Sequence, residues 1–145
     1  STGSSFSFGH YIYPQYINTD AYMFIFDSES GRFISESKSD WNEALYIYDG
    51  NNHIYISELQ ANVWQYILVV VENGSQIYVD VDGINIYSKG ISETGGLGGT
   101  SLIGGRYSTS HHYNGLFDEF TVLSYALSGN QRTKLYNYTK QLKGI

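Results

Sequence analysis

Hydrophobic and polar positions alternate in short runs along almost the whole chain, and turn residues recur between the runs. Phe6, Phe8, His10 and Ile12 alternate in the first run, which Pro14 closes. A period of two places such residues on one face of a strand. A second strand is predicted over Ala21–Phe26, stopped by the polar stretch DSESGR. The Ser- and charge-rich residues from Ser35 to Asn42 read as a loop carrying Trp41. Ala44 to Ser57 reads as a hairpin around Asp49-Gly50-Asn51-Asn52, with Tyr48 opposite His53 and Tyr46 opposite Tyr55. That register gives one face a ladder of Tyr and His and the other the aliphatic set Leu45, Ile47, Ile54 and Ile56.

Downstream the same signals continue. The strand opened by Trp64 and running to Val71 is apolar on both faces, so it is predicted to be central, its second face covered by other protein or by a ligand. Asp82-Gly83 is a strong two-residue hairpin signal. It predicts Val81 opposite Ile84 and Val79 opposite Ile86 on a core face, with Tyr78 and Tyr87 paired on the other. A Gly-rich loop, TGGLGGTS, lacks the Lys and the strand-to-helix setting of a phosphate cradle. Strands follow from Ser101 to Ile103 and from Leu116 to Leu123, separated by the aromatic loop RYSTSHHYNG. Ser128 with Gln131 is a capping-box pattern, which predicts a short C-terminal helix.

The order WQYILVVV, IYVDVDG, SLIGG, YNGLFDEFTVLSYALS and LYNY resembles the laminin-G-like members of the concanavalin A-like lectin/glucanase superfamily. FSFGHYIYP is similar to an early strand of that family. The resemblance implies an all-β, antiparallel jelly-roll sandwich with a short C-terminal helix, one module over residues 1–145. It also implies a strand ahead of FSFGHYIYP, so the chain is expected to be a piece of a longer protein whose first strand comes from an upstream domain or a neighbouring subunit. The function implied is non-catalytic carbohydrate binding or surface attachment in an extracellular, cell-surface or virion protein. The alternatives are a protein–protein module of a phage capsid or tail, or an accessory domain of a secreted glycan-degrading enzyme.

Composition narrows the chemistry. A net charge of -6 over 145 residues disfavours nucleic acid, which needs clustered Lys and Arg. No apolar run reaches the length of a membrane-spanning helix, and the chain has no Cys for thiolate metal sites. No Glu-x-Asp pair occurs, and the adjacent Asp118 and Glu119 should alternate across a strand, so a two-carboxylate glycosidase is not expected. Aromatic residues reach 17%, with 15 Tyr. Tyr joins an apolar ring to a polar tip and suits both strand packing and sugar stacking.

Two aromatic patches are candidate glycan sites: the ladder Tyr46, Tyr48, His53 and Tyr55, and a rim of Trp41, Arg106, Tyr107, His111, His112, Tyr113 and Asn114. A protein partner would suit the rim equally, since Tyr and Arg dominate interface hot spots. By resemblance Asp118 stands where relatives carry a calcium ligand. A carboxylate bonding local backbone amides fits that position as well.

Overall fold

The structure is a computed structural model that describes residues 5–15, 23–28, 33–38, 44–48, 53–58, 60–91, 101–103 and 115–144. Among the described residues ten strands form two antiparallel sheets. They are β1 (Phe6–Pro14), β2 (Met23–Ser28), β3 (Phe33–Lys38), β4 (Ala44–Tyr48), β5 (His53–Glu58), β6 (Gln65–Glu72), β7 (Gln76–Val81), β8 (Ile84–Gly90), β9 (Ser101–Ile103) and β10 (Gly115–Leu123), followed by the helix α1 (Gly129–Lys143). Sheet A has the order β10-β1-β6-β7-β8 and sheet B the order β5-β4-β3-β2-β9. The expected all-β antiparallel sandwich is therefore the observed one.

Alternation in β1, β6 and β7 produces two buried faces on sheet A. The inward face gathers Phe6, Phe8, Ile12, Ile67, Val69, Val71, Ile77 and Val79, all essentially excluded from solvent. Each such side chain contributes about 1.5–3 kcal/mol on burial, so this face is the main source of stability. The outward face gathers Tyr11, Tyr66, Leu68, Val70 and Leu127, with Leu135 and Tyr136 of α1 packed against it. The doubly apolar strand β6 is central, as its sequence requires. Its second face is covered by the chain's own helix, not by a separate protein or ligand.

Side chains fasten that cover. Ser7 Oγ donates to the Tyr125 carbonyl at 2.8 Å and accepts the Leu127 N–H at 3.0 Å. Ser128 and Gln131 form the capping box, and Gly144 ends the helix in the left-handed region. Arg132 lies 2.9 Å from Asp80 as an ion pair and 4.5 Å above the Tyr78 ring, although its Nε–H is not aimed at the carboxylate as a hydrogen bond. At the far end Lys143 sits 3.3 Å over the Trp64 ring.

Asp82 (φ 51) and Gly83 (φ 79) make the expected turn, with the paired positive φ of a type I′ hairpin. A Cβ on Gly83 would collide with the Tyr136 ring, so the helix docks where only glycine leaves room. The β8 register differs from expectation. Val81 does oppose Ile84, but Val79 opposes Tyr87 and Tyr78 opposes Ser88. The cause is a bulge at Ile86, which shifts every later residue to the other face. Asn85 Nδ2 fills the bulge, bonding Asp80 Oδ1 at 2.8 Å and the carbonyls of Tyr87 and Val79 at 3.1 and 3.3 Å. Ile84 keeps its expected partner but lies exposed on the outer strand, Ile86 is exposed as well instead of facing the core, and the shift brings Tyr87 to the inward core.

Two further expectations change. Residues 35–38, the first part of the expected loop, belong to β3, which pairs β2 on one side and β4 on the other. Neighbours on both sides complete its hydrogen-bond ladder, which outweighs the weak strand propensity of a Ser-rich segment. In the β4–β5 hairpin Leu45 opposes Ser57, because Ile56 is the extra residue of a bulge.

Candidate functional site

The β4–β5 hairpin carries the most coherent candidate surface. Tyr46 opposes Tyr55 and Tyr48 opposes His53, as the turn position predicts. Directly opposed residues share a face, and so do residues two apart, so these four positions form one patch. β5 is an outer strand of sheet B, which places the patch at a sheet margin. β3 carries the rows inward: Tyr46 opposes Glu36 and Tyr48 opposes Ile34. β2 continues them with Phe24 opposite Glu36 and Asp27 opposite Ile34. Glu36 and Asp27 thus join the aromatic face. Reading Ser35–Asn42 as a loop hid Glu36, and ending the second strand at Phe26 hid Asp27, since β2 runs on to Ser28; the Ile34/Glu36/Lys38 alternation within FISESK was the available signal.

The opposite face of sheet B holds the row Ile54, Ile47, Ser35, Phe26, Ile103. That row has the mainly apolar character a sandwich buries between its sheets, and on this pattern alone the Tyr/His rows fall on the other, outer side. The described helix lies on the other sheet. The two outer faces therefore differ in kind: on sheet A the aromatic rings Tyr11, Tyr66 and Tyr78 are closed under α1, so they are interior groups.

Three described aspartates of sheet A and its β7–β8 turn, Asp80, Asp82 and Asp118, are held by internal partners. Asp80 is held by Arg132 and Asn85. Asp82 Oδ1 accepts the Tyr66 N–H at 2.8 Å. Asp118 Oδ2 takes the ammonium of Lys143, and Oδ1 accepts the Glu119 N–H at 2.9 Å. The Lys143 contact holds the Asp118 carboxyl below its usual range; burial opposes it, and the Glu119 amide adds to the lowering. Glu119 does not simply alternate with Asp118: it sits at φ 50 in a bulge between the Gly9 and Tyr11 pairings.

Calcium at Asp118 is a poor fit to these donors. Both oxygens already have protein partners, and an ion would have to displace Lys143. Among the described residues no three His, Cys, Asp or Glu side chains converge to hold a metal.

His10 is the one buried imidazole of the described core. It stacks on Phe8 and Phe120 (centroids at 6.2 and 5.2 Å) and meets Phe117 edge-on at 5.9 Å. Neither ring nitrogen has a hydrogen-bond partner, and burial lowers its pKa from 6.5 to about 3. It is a neutral core group, not a surface base.

The rim residues Trp41, Arg106, Tyr107, His111, His112, Tyr113 and Asn114 lie outside the described residues.

A family profile of laminin G type, described as "Concanavalin A-like lectin/glucanases superfamily", matches residues 1–131. No curated protein matches the sequence significantly. Solved structures of similar fold include domain 4 of AbnA, a GH43 extracellular arabinanase from Geobacillus stearothermophilus, in complex with arabinotriose. It shares 18% identity at a TM-score of 0.70, over 94% of this chain and 68% of that one. The heptameric SAP-like pentraxin of Limulus polyphemus shares 19% at 0.70, over 93% and 70%. A botulinum neurotoxin type C structure, tied to cell entry through two ganglioside molecules, shares 18% at 0.68. This chain covers 93% of itself there but only 36% of the neurotoxin chain. At these identities the likeness is one of fold.

Proposed function

Because the chain belongs to the laminin-G-like part of the concanavalin A-like lectin/glucanases superfamily, we propose that it is a non-catalytic module that binds a glycan, working outside the cell or on a virion. The observation that carries the reading is the pairing of aromatic positions on one face of sheet B. The β4–β5 pairing assembles Tyr46, Tyr55, Tyr48 and His53 there, while the corresponding face of sheet A is closed by α1. Tyr rings supply flat apolar surface with a polar edge, which is the chemistry that stacks on a pyranose or furanose ring. The neighbouring folds add support, since one is an arabinanase domain bound to arabinotriose and another belongs to a toxin whose entry depends on gangliosides. Engagement of Asp80, Asp82 and Asp118 by protein donors supports binding without hydrolysis.

The test is a glycan array probed with the chain, with and without calcium and with and without chelator. Binding that is lost in Tyr46→Ala and Tyr48→Ala, yet kept in a variant of the helix surface such as Tyr138→Ala, supports the reading. Binding untouched by the two sheet B variants moves the site to the rim around Tyr107 and Tyr113. Concentration-dependent assembly with no glycan bound replaces it with the protein–protein alternative.

A further inference from the structure

The pairing of sheet B places carboxylates in the same rows as the aromatics, and this decides what kind of glycan the face can accept. One row reads Tyr55, Tyr46, Glu36, Phe24 across β5, β4, β3 and β2. The next reads His53, Tyr48, Ile34, Asp27. Each row crosses three interstrand spacings, about 14 Å, which is room for a short oligosaccharide instead of a single ring. Glu36 and Asp27 are diagonal neighbours on adjacent strands, about 7–8 Å apart at the backbone.

A third row on the same face adds Glu58, Ala44 and Lys38. Among the described residues these rows hold three carboxylates, Asp27, Glu36 and Glu58, against one ammonium, Lys38, and the whole chain carries -6. Two consequences follow. An ionised carboxylate accepts charge-assisted hydrogen bonds from sugar hydroxyls and can engage two adjacent ones at once. The same charge repels sialate, uronate and sulfate groups, and a like charge forced into a binding surface costs more than a rim contact returns.

We propose that the outer face of sheet B selects uncharged oligosaccharides, with Glu36 and Asp27 as the acceptors that fix the sugar hydroxyls beside the Tyr46/Tyr48 platform. This rests on the glycan-binding reading above and names the substrate class of the same site. Glu36 is the principal acceptor because it lies in the row directly beside Tyr46. Asp27, next to Ile34 in the neighbouring row, sets the inner limit of the patch.

The experiment compares the wild-type chain with Glu36→Gln, Asp27→Asn and the double variant. Two panels are titrated: uncharged oligosaccharides (arabinotriose, cellotriose, mannotriose) and anionic ones (sialyllactose, a galacturonate trimer, a heparin hexasaccharide). Wild type is expected to bind at least one uncharged sugar and to favour it over every anionic one by about 10-fold or more. Glu36→Gln, which keeps the shape and removes the charge, should weaken the uncharged sugar by about 10-fold. The double variant should narrow the discrimination against anionic sugars. Unchanged thermal midpoints in the variants separate a lost acceptor from a lost fold. Preference for an anionic glycan, or uncharged-sugar binding indifferent to Glu36→Gln and Asp27→Asn, overturns this proposal and leaves the glycan-binding reading standing. No binding to either panel or to a wider array overturns both.

Discussion

Acid should unfold this domain through His10. The imidazole is walled by Phe8, Phe117 and Phe120 and has no hydrogen-bond partner at either nitrogen. Burial holds its pKa near 3, against 6.5 for a free imidazole. The folded chain therefore refuses a proton that the unfolded chain accepts, and stability rises with pH across that window. The contribution is complete above pH 6.5 and disappears progressively as the pH falls towards 3. One differential proton changes stability by about 1.4 kcal/mol per pH unit, so two units below 6.5 remove about 3 kcal/mol. For a domain with an ordinary margin of about 5–15 kcal/mol that is a large share.

His10→Leu keeps the volume approximately and abolishes the titration. It also removes two unpartnered polar atoms, each of which costs about 1–3 kcal/mol when buried. Urea unfolding followed by tryptophan fluorescence should show wild type losing stability from about pH 6.5 to about pH 4.5, and the variant losing about 3 kcal/mol less over the same interval. Parallel pH profiles for the two proteins would refute the reasoning, because they would mean the buried ring is protonated as easily as a free one.

Three other outcomes are expected. Gly83→Ala should destabilise by about 2–4 kcal/mol, since the residue sits at φ 79 and its new methyl would enter the Tyr136 ring; thermal or urea unfolding checks it. Ser7→Ala should cost about 1–3 kcal/mol by orphaning the Leu127 N–H and the Tyr125 carbonyl, and hydrogen exchange at Leu127 should quicken. Lys143→Met should cost under about 1 kcal/mol, because Asp118 is about half exposed and solvent screens the pair. It should also raise the Asp118 carboxyl back towards its usual range, seen by NMR titration. Since the pairing holds that carboxyl low, its small stabilising effect is present at neutral pH and fades as acid protonates it.

Much of the fold could be read from local chemistry. The Asp82-Gly83 turn, the Ser128/Gln131 cap, the central strand after Trp64 and the Tyr46/Tyr55 and Tyr48/His53 pairs each depend on residues close in sequence. What escaped depends on partners far away. The cover over Tyr66 is a helix whose contact residues are Arg132, Leu135, Tyr136 and Lys143, a mixed set with no clean apolar stripe to announce it. Bulges at Ile86 and Ile56 shift registers without leaving a Gly or Pro as a marker. β3 is a strand only because β2 and β4 flank it, so Glu36 could not be placed on the aromatic face until all three were aligned.

The kink at Glu119 reaches beyond the strand that contains it. β10 is one of the two outermost described strands of sheet A and runs for nine residues, long enough to act as a template for another chain. A left-handed residue in its middle, bearing a carboxylate, splits it into a four-residue stretch on either side. Any foreign strand laid alongside would have to break step at the same point, so fibrous stacking through this margin is discouraged and only a short, purpose-shaped segment could join it.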